Sequence, residues 1–182
     1  MEHGSEHTEA EQYLRRFAAT SPRRRARGAG QAPVERIQQA ALRHRDPFVR
    51  RGCLEFLDHH ANEASAAVFA RALHDPVEPV RHTALHSIAC ETCRVDDLCA
   101  AEVVPHVAEV LAADPSPELR HKSIPVLLRL AARDPRARAA VERAAEDDDD
   151  PLVRAVARLA LDGHHVRRRK AYQRRGSGAA AR

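Results

Sequence analysis

The sequence predicts an all-α fold, an α-α superhelix or solenoid of about four stacked helical hairpins with flexible basic ends. Three observations carry this. First, 35 of the 182 residues are Ala, only 7 are Gly, aromatics make up 3% and Trp is absent, a composition that favours helices over a β-sandwich or barrel. Second, an Asp-Pro pair followed by an aliphatic-Arg pair recurs four times: Asp46-Pro47…Val49-Arg50, Asp75-Pro76…Val80-Arg81, Asp114-Pro115…Leu119-Arg120 and Asp150-Pro151…Val153-Arg154. Third, an amphipathic stretch precedes each copy. One hairpin cannot bury its own apolar face, whereas four stacked hairpins can.

Residues 1–32 read as a short helix, Glu9 to Ala19, and a basic, Gly-containing linker, in part disordered. The opening stretch Met1 to Glu11 is polar and acidic, which predicts no secretory leader. The repeat domain is expected over 33–162. Its first helices are Val34–Leu42, Ala64–Leu73, Leu98–Ala112 and Arg136–Ala145. The second helices start at the motifs, because Asp is a good N-cap and Pro suits the first helical position. Their apolar positions are Leu54/Leu57, Ala84/Leu85/Ile88, Ser123/Ile124/Leu127 and Ala157/Leu161. The four Phe (Phe17, Phe48, Phe56 and Phe69) fall mostly at core-like positions. Residues 163–182 cannot bury a face and read as a basic, disordered tail.

Charge separates the ends from the body. Residues 1–33 hold six Arg and four Glu, residues 34–162 hold 17 basic and 22 acidic side chains, and residues 163–182 hold seven basic and no acidic ones. The net +4 therefore belongs to the ends, and the body is mildly acidic. Only Lys122 and Lys170 are Lys among 30 basic residues, a bias that predicts a high-GC, bacterial coding sequence. Four Cys (Cys53, Cys90, Cys93, Cys99) without a leader predict free thiols and a cytoplasmic setting.

The repeated Arg falls inside the apolar arc of its helix: with Val80 at zero, Arg81 lies at about 100° and Leu85 at about 140°. A charge there needs a partner. The eight residues Asp46, Arg50, Asp75, Arg81, Asp114, Arg120, Asp150 and Arg154 therefore predict a structural ladder between repeats. In the last copy Arg158 replaces the apolar residue of the others, as a terminal cap requires.

Asp-Pro, then Val-Arg, then Ala and Leu at helical spacing resembles the HEAT repeat, especially the HEAT-like repeats of phycobilisome lyase subunits. The resemblance covers about residues 33–162. It implies that the second helices line a concave face and that the chain serves as a binding scaffold. On that placement the partner-binding face consists of Arg51, Glu55, His82, His86, Cys90, His121 and Arg129. Its mixed charge points to a protein or peptide partner.

Other chemistries are disfavoured. His82, His86, Cys90 and Cys93 form one stripe opposite the core, but four ligands strung along one helix cannot converge on one ion. A His86/Cys90 pair would need help from a neighbour such as His121 or Cys99, and the expectation is incidental surface residues with no metal and no cofactor. Arg81-His82 and Arg120-His121 resemble the di-iron HEAT protein deoxyhypusine hydroxylase, but Thr83 and Lys122 stand where that family has Glu. The HEAT-like alkylpurine DNA glycosylases use aromatic residues with an Asp around the lesion, whereas this chain has no Trp, its four Phe fall mostly at core-like positions, and its body is acidic. The run Glu146 to Asp150 has no EF-hand alternation and reads as an acidic approach to a helix N-terminus. No catalytic residue, and hence no enzyme, is expected. The tail cations Arg167, Arg168, Arg169, Lys170, Arg174 and Arg175 form an arm for an anionic partner, and nucleic-acid binding through the basic ends is the alternative function. No apolar run is long enough to span a membrane.

Overall fold

A computed structural model describes residues 34–60, 62, 64–90 and 99–163. The described residues form eight α-helices and no strand: α1 (Val34–Arg43), α2 (Pro47–His59), α3 (Ser65–Ala72), α4 (Glu78–Ala89), α5 (Ala100–Ala113), α6 (Pro117–Leu130), α7 (Pro135–Asp147) and α8 (Pro151–Leu161). The expected helix Glu9–Ala19, the linker, Cys93 and the tail from 164 onward lie outside the described residues. The chain divides into two compact units between His106 and Val107, within α5.

In the first unit α1 pairs with α2 and α3 with α4, while α1 also packs on α3 and α2 on α4. The two hairpins thus stack with first helix on first helix and second on second. Ile37, Leu54, Phe56, Leu57, Phe69, Leu73, Val80, Ala84, Leu85 and Ile88 fill the interior. A polar contact joins the first helices. Gln38 of α1 donates to Asn62 Oδ1 (2.7 Å) and Ser65 Oγ (3.2 Å), and both Gln38 and Ser65 are buried. Phe48, unlike the buried Phe56 and Phe69, is 77% exposed. It follows Pro47 in the first turn of α2, on the side away from the packed helices.

In the second unit α7 packs on α8, and α6 packs on both. Leu119, Ile124, Leu127, Val141, Val153 and Ala157 are buried. Ser123, also buried, spends its hydroxyl on the Leu119 carbonyl at 2.9 Å. Arg158 lies at the surface and donates to the Ala145 carbonyl (3.0 Å), covering an acceptor in the last turns of α7. Leu152 and Leu159 are exposed as well, so the exposed surface of α8 is not uniformly polar. Gly163, at φ +80°, supplies the left-handed residue that closes α8 and donates to the Ala160 carbonyl.

The repeated motif divides the four expected aspartates into two roles. Asp46 and Asp150 are N-caps, accepting from Phe48 N (2.9 Å) and Leu152 N (2.7 Å). Asp75 and Asp114 lie two residues ahead of the caps Val77 and Ser116 and accept those residues' N–H groups (2.9 and 2.8 Å). Asp148 holds the corresponding position in the last hairpin, accepting from Asp150 N at 2.9 Å. In the first hairpin it belongs to His44, whose Nδ1 accepts from Asp46 N at 3.0 Å.

Six residues after that position comes the repeated Arg, and its Nη1 always donates back to that position's carbonyl. Arg50 reaches His44 O (2.7 Å), Arg81 reaches Asp75 O (3.0 Å), Arg120 reaches Asp114 O (2.8 Å) and Arg154 reaches Asp148 O. The other edge of the guanidinium makes the rung. Arg50 binds Asp75 of the next hairpin through Nε and Nη2 (2.6 and 2.8 Å). Arg120 binds Asp148 in the same bidentate way (3.0 and 2.9 Å), whereas the expected Asp150 caps α8. The acidic run 146–150 is therefore divided among the end of α7, a rung and a cap.

Candidate functional site

The expected partner-binding residues lie on the second helices. In the first unit α2 carries Arg51 and Glu55, paired at 3.1 Å one turn apart, with both side chains largely in solvent. Half-buried His82 and exposed His86 lie on α4, and Cys90 is its C-cap, half-buried, donating its N–H to the His86 carbonyl at 2.8 Å. The packing of α2 on α4 brings these two series side by side. In the second unit His121 and Arg129 are half-buried on α6. Pro125 lies between them and has no N–H for the His121 carbonyl.

At the C-terminal ends of α2 and α4 the structure adds a residue that the sequence reading missed. Asp58, in the last turn of α2, is only 4% exposed. Its Oδ2 lies 3.9 Å from His86 Nε2, and among the described residues its Oδ1 is buried without a hydrogen-bond partner. One donor atom each from Asp58, His86 and Cys90 falls within 4.8 Å of the other two. Asp58 is thus the neighbour placed beside the His86/Cys90 pair. A signal for it was present in the sequence: a carboxylate in the last turn of a helix opposes the negative end of the helix dipole and calls for a cation.

The other described thiols differ in character. Cys53 is fully buried in the first unit, and burial pushes its thiol up to about 12, so it is inert toward thiolate chemistry. Cys99 is exposed ahead of α5. His74 and His106, both in the first unit, share a hydrogen bond at 2.9 Å between ring nitrogens.

The described residues form an all-helical arrangement of hairpins clamped by Arg–Asp rungs, with a mixed polar row on the second helices. Comparison with family models, with curated proteins and with solved structures finds no match. Among the described residues, no helix is long and apolar enough to cross a membrane.

Proposed function

We propose that the chain is a HEAT-like solenoid of four hairpins, cytoplasmic and non-enzymatic, that binds a protein or peptide partner along its second helices. The observation that supports this reading is the row Arg51, Glu55, His82 and His86. It puts positive, negative and titratable side chains on neighbouring helices of one stacked unit, while the rungs hold those helices in register. Mixed charge of this kind suits the polar rim of a protein interface and does not suit a phosphate backbone. His121 and Arg129 extend the same reading to α6.

The alternative rests on charge alone. Seven basic and no acidic side chains in 163–182 favour an anionic partner for the tail, nucleic acid above all. Affinity capture with the full-length protein separates the two. The scaffold reading expects one protein retained at high salt, lost with Arg51→Glu/Glu55→Arg/His82→Glu and kept when Arg167, Arg168, Arg169, Lys170, Arg174 and Arg175 are all changed to Gln. Capture that nuclease or salt abolishes, and that only the tail variant loses, would transfer the function to the arm.

A further inference from the structure

We propose that Asp58, His86 and Cys90 form a zinc-binding site that ties the C-terminal end of α2 to that of α4. The donor set is the first ground. A carboxylate, an imidazole and a thiolate are the three protein ligand types of Zn²⁺.

Geometry is the second ground. A tetrahedral Zn²⁺ with bonds of ~2.0–2.3 Å holds its ligand atoms roughly 3.3–3.6 Å apart. The 3.9 Å between His86 Nε2 and Asp58 Oδ2, with one donor atom from each residue within 4.8 Å of the other two, is near that spacing. His86, with its side chain 65% exposed, forms the rim, and Asp58 forms the floor.

The third ground is an electrostatic debt. Among the described residues Asp58 Oδ1 is buried with no hydrogen-bond partner, and an ionised carboxylate so placed is costly unless a cation meets it. The carboxylate lies in the last turn of α2, and His86 and Cys90 lie at the end of α4. Two negative helix termini and a carboxylate thus meet at one point, where a divalent cation repays all three. The stack itself does not demand these residues. Counted from the repeated Arg, the matching positions on α6 and α8 are Leu128, Leu159 and Gly163. This inference is independent of the scaffold reading, although it uses two residues of the same row.

The test titrates full-length, reduced, chelator-stripped protein with Co²⁺ and then displaces the Co²⁺ with Zn²⁺. The expected result is one Co²⁺ per chain, with the absorption of a tetrahedral site and a thiolate-to-cobalt charge-transfer band, both erased by Zn²⁺. Cys90→Ser removes the charge-transfer band. His86→Gln and Asp58→Asn each weaken Zn²⁺ affinity at least tenfold, whereas His82→Gln and Cys99→Ser leave it unchanged. In chelator, Asp58→Asn unfolds no earlier than the wild type, because the amide buries no charge. His86 and Cys90 are rim positions, so their variants remain informative if Asp58→Asn does not fold. Absence of a stoichiometric tetrahedral site, a band that survives Cys90→Ser, or binding that His82→Gln weakens as much as His86→Gln would each overturn the proposal.

Discussion

The helix pair α2/α4 of the first unit and the pair α6/α8 of the second are alike at one end and unlike at the other. Near the N-terminal ends both use the same device. An Arg from the earlier second helix, Arg50 or Arg120, forks onto a carboxylate, Asp75 or Asp148, that sits two residues ahead of the next second helix's cap. At the C-terminal ends the first unit gathers Asp58, His86 and Cys90, while the second has Leu128, half-buried, exposed Leu159 and Gly163. The end that stacking requires is built twice to one plan. The end it does not require is free to vary, and that is where the ligand chemistry is found.

Breaking a rung gives the largest expected effect. The side chains of Arg50 and Asp75 are 9% and 8% exposed, and those of Arg120 and Asp148 are 12% and 4% exposed. Removing one partner from a buried pair strands the other charge, so Asp75→Ala and Asp148→Ala should each cost about 3–5 kcal/mol in urea unfolding. Asp46→Ala and Asp150→Ala, which remove only caps, should cost about 1 kcal/mol. Equal losses from Asp148→Ala and Asp150→Ala would break the distinction between rung and cap.

Acid sharpens the same contrast by a smaller amount. Burial by itself pushes the Asp148 carboxyl up, but the Arg120 hydrogen bonds, the Asp150 N–H and the charges of Arg120 and Arg154 outweigh it, and the group ends below its ordinary 3.8. A carboxyl depressed by folding stabilises the folded state above its unfolded pKa, and that contribution is lost as pH falls through the folded value. The urea midpoint should therefore drop below about pH 4, and the drop should be shallower in Asp148→Asn than in the wild type. The least effect belongs to the exposed pair: Arg51→Ala should change stability by no more than about 0.5 kcal/mol, which leaves it usable as a probe of partner binding.

Much of the helical layout was legible in the sequence. Composition excluded sheets, and the Asp-Pro and helical-spacing patterns located the starts of the second helices, because N-capping and apolar periodicity are local effects. The ladder was legible only in part. Asp-Pro marks two different sites, the cap itself (Asp46, Asp150) and a position two residues earlier (Asp75, Asp114), and the distance to the Arg differs accordingly. Asp134-Pro135 adds a further cap, opening the first helix α7. His44 was hidden because a ring nitrogen accepts the same N–H that a carboxylate oxygen accepts in the other hairpins. Asp58 was hidden for the opposite reason. It sits among buried Phe56 and Leu57, so a search for polar stripes on the outer face passes over it. Only the packing of α2 on α4 brings it to His86 and Cys90.

The guanidinium of each rung has a consequence for the kinetics of the fold. In Arg50, Nη1 closes the turn that launches its own helix, while Nε and Nη2 grip the next hairpin; Arg120 does the same. A lysine, with one compact charge, could serve one of these tasks at a time. Because a single planar group performs both, a turn that opens releases its neighbour, and a neighbour that departs loosens the turn. Hydrogen exchange across such a joint should proceed by concerted opening of two hairpins, so the smallest cooperative unit of this chain is larger than the repeat by which it is written.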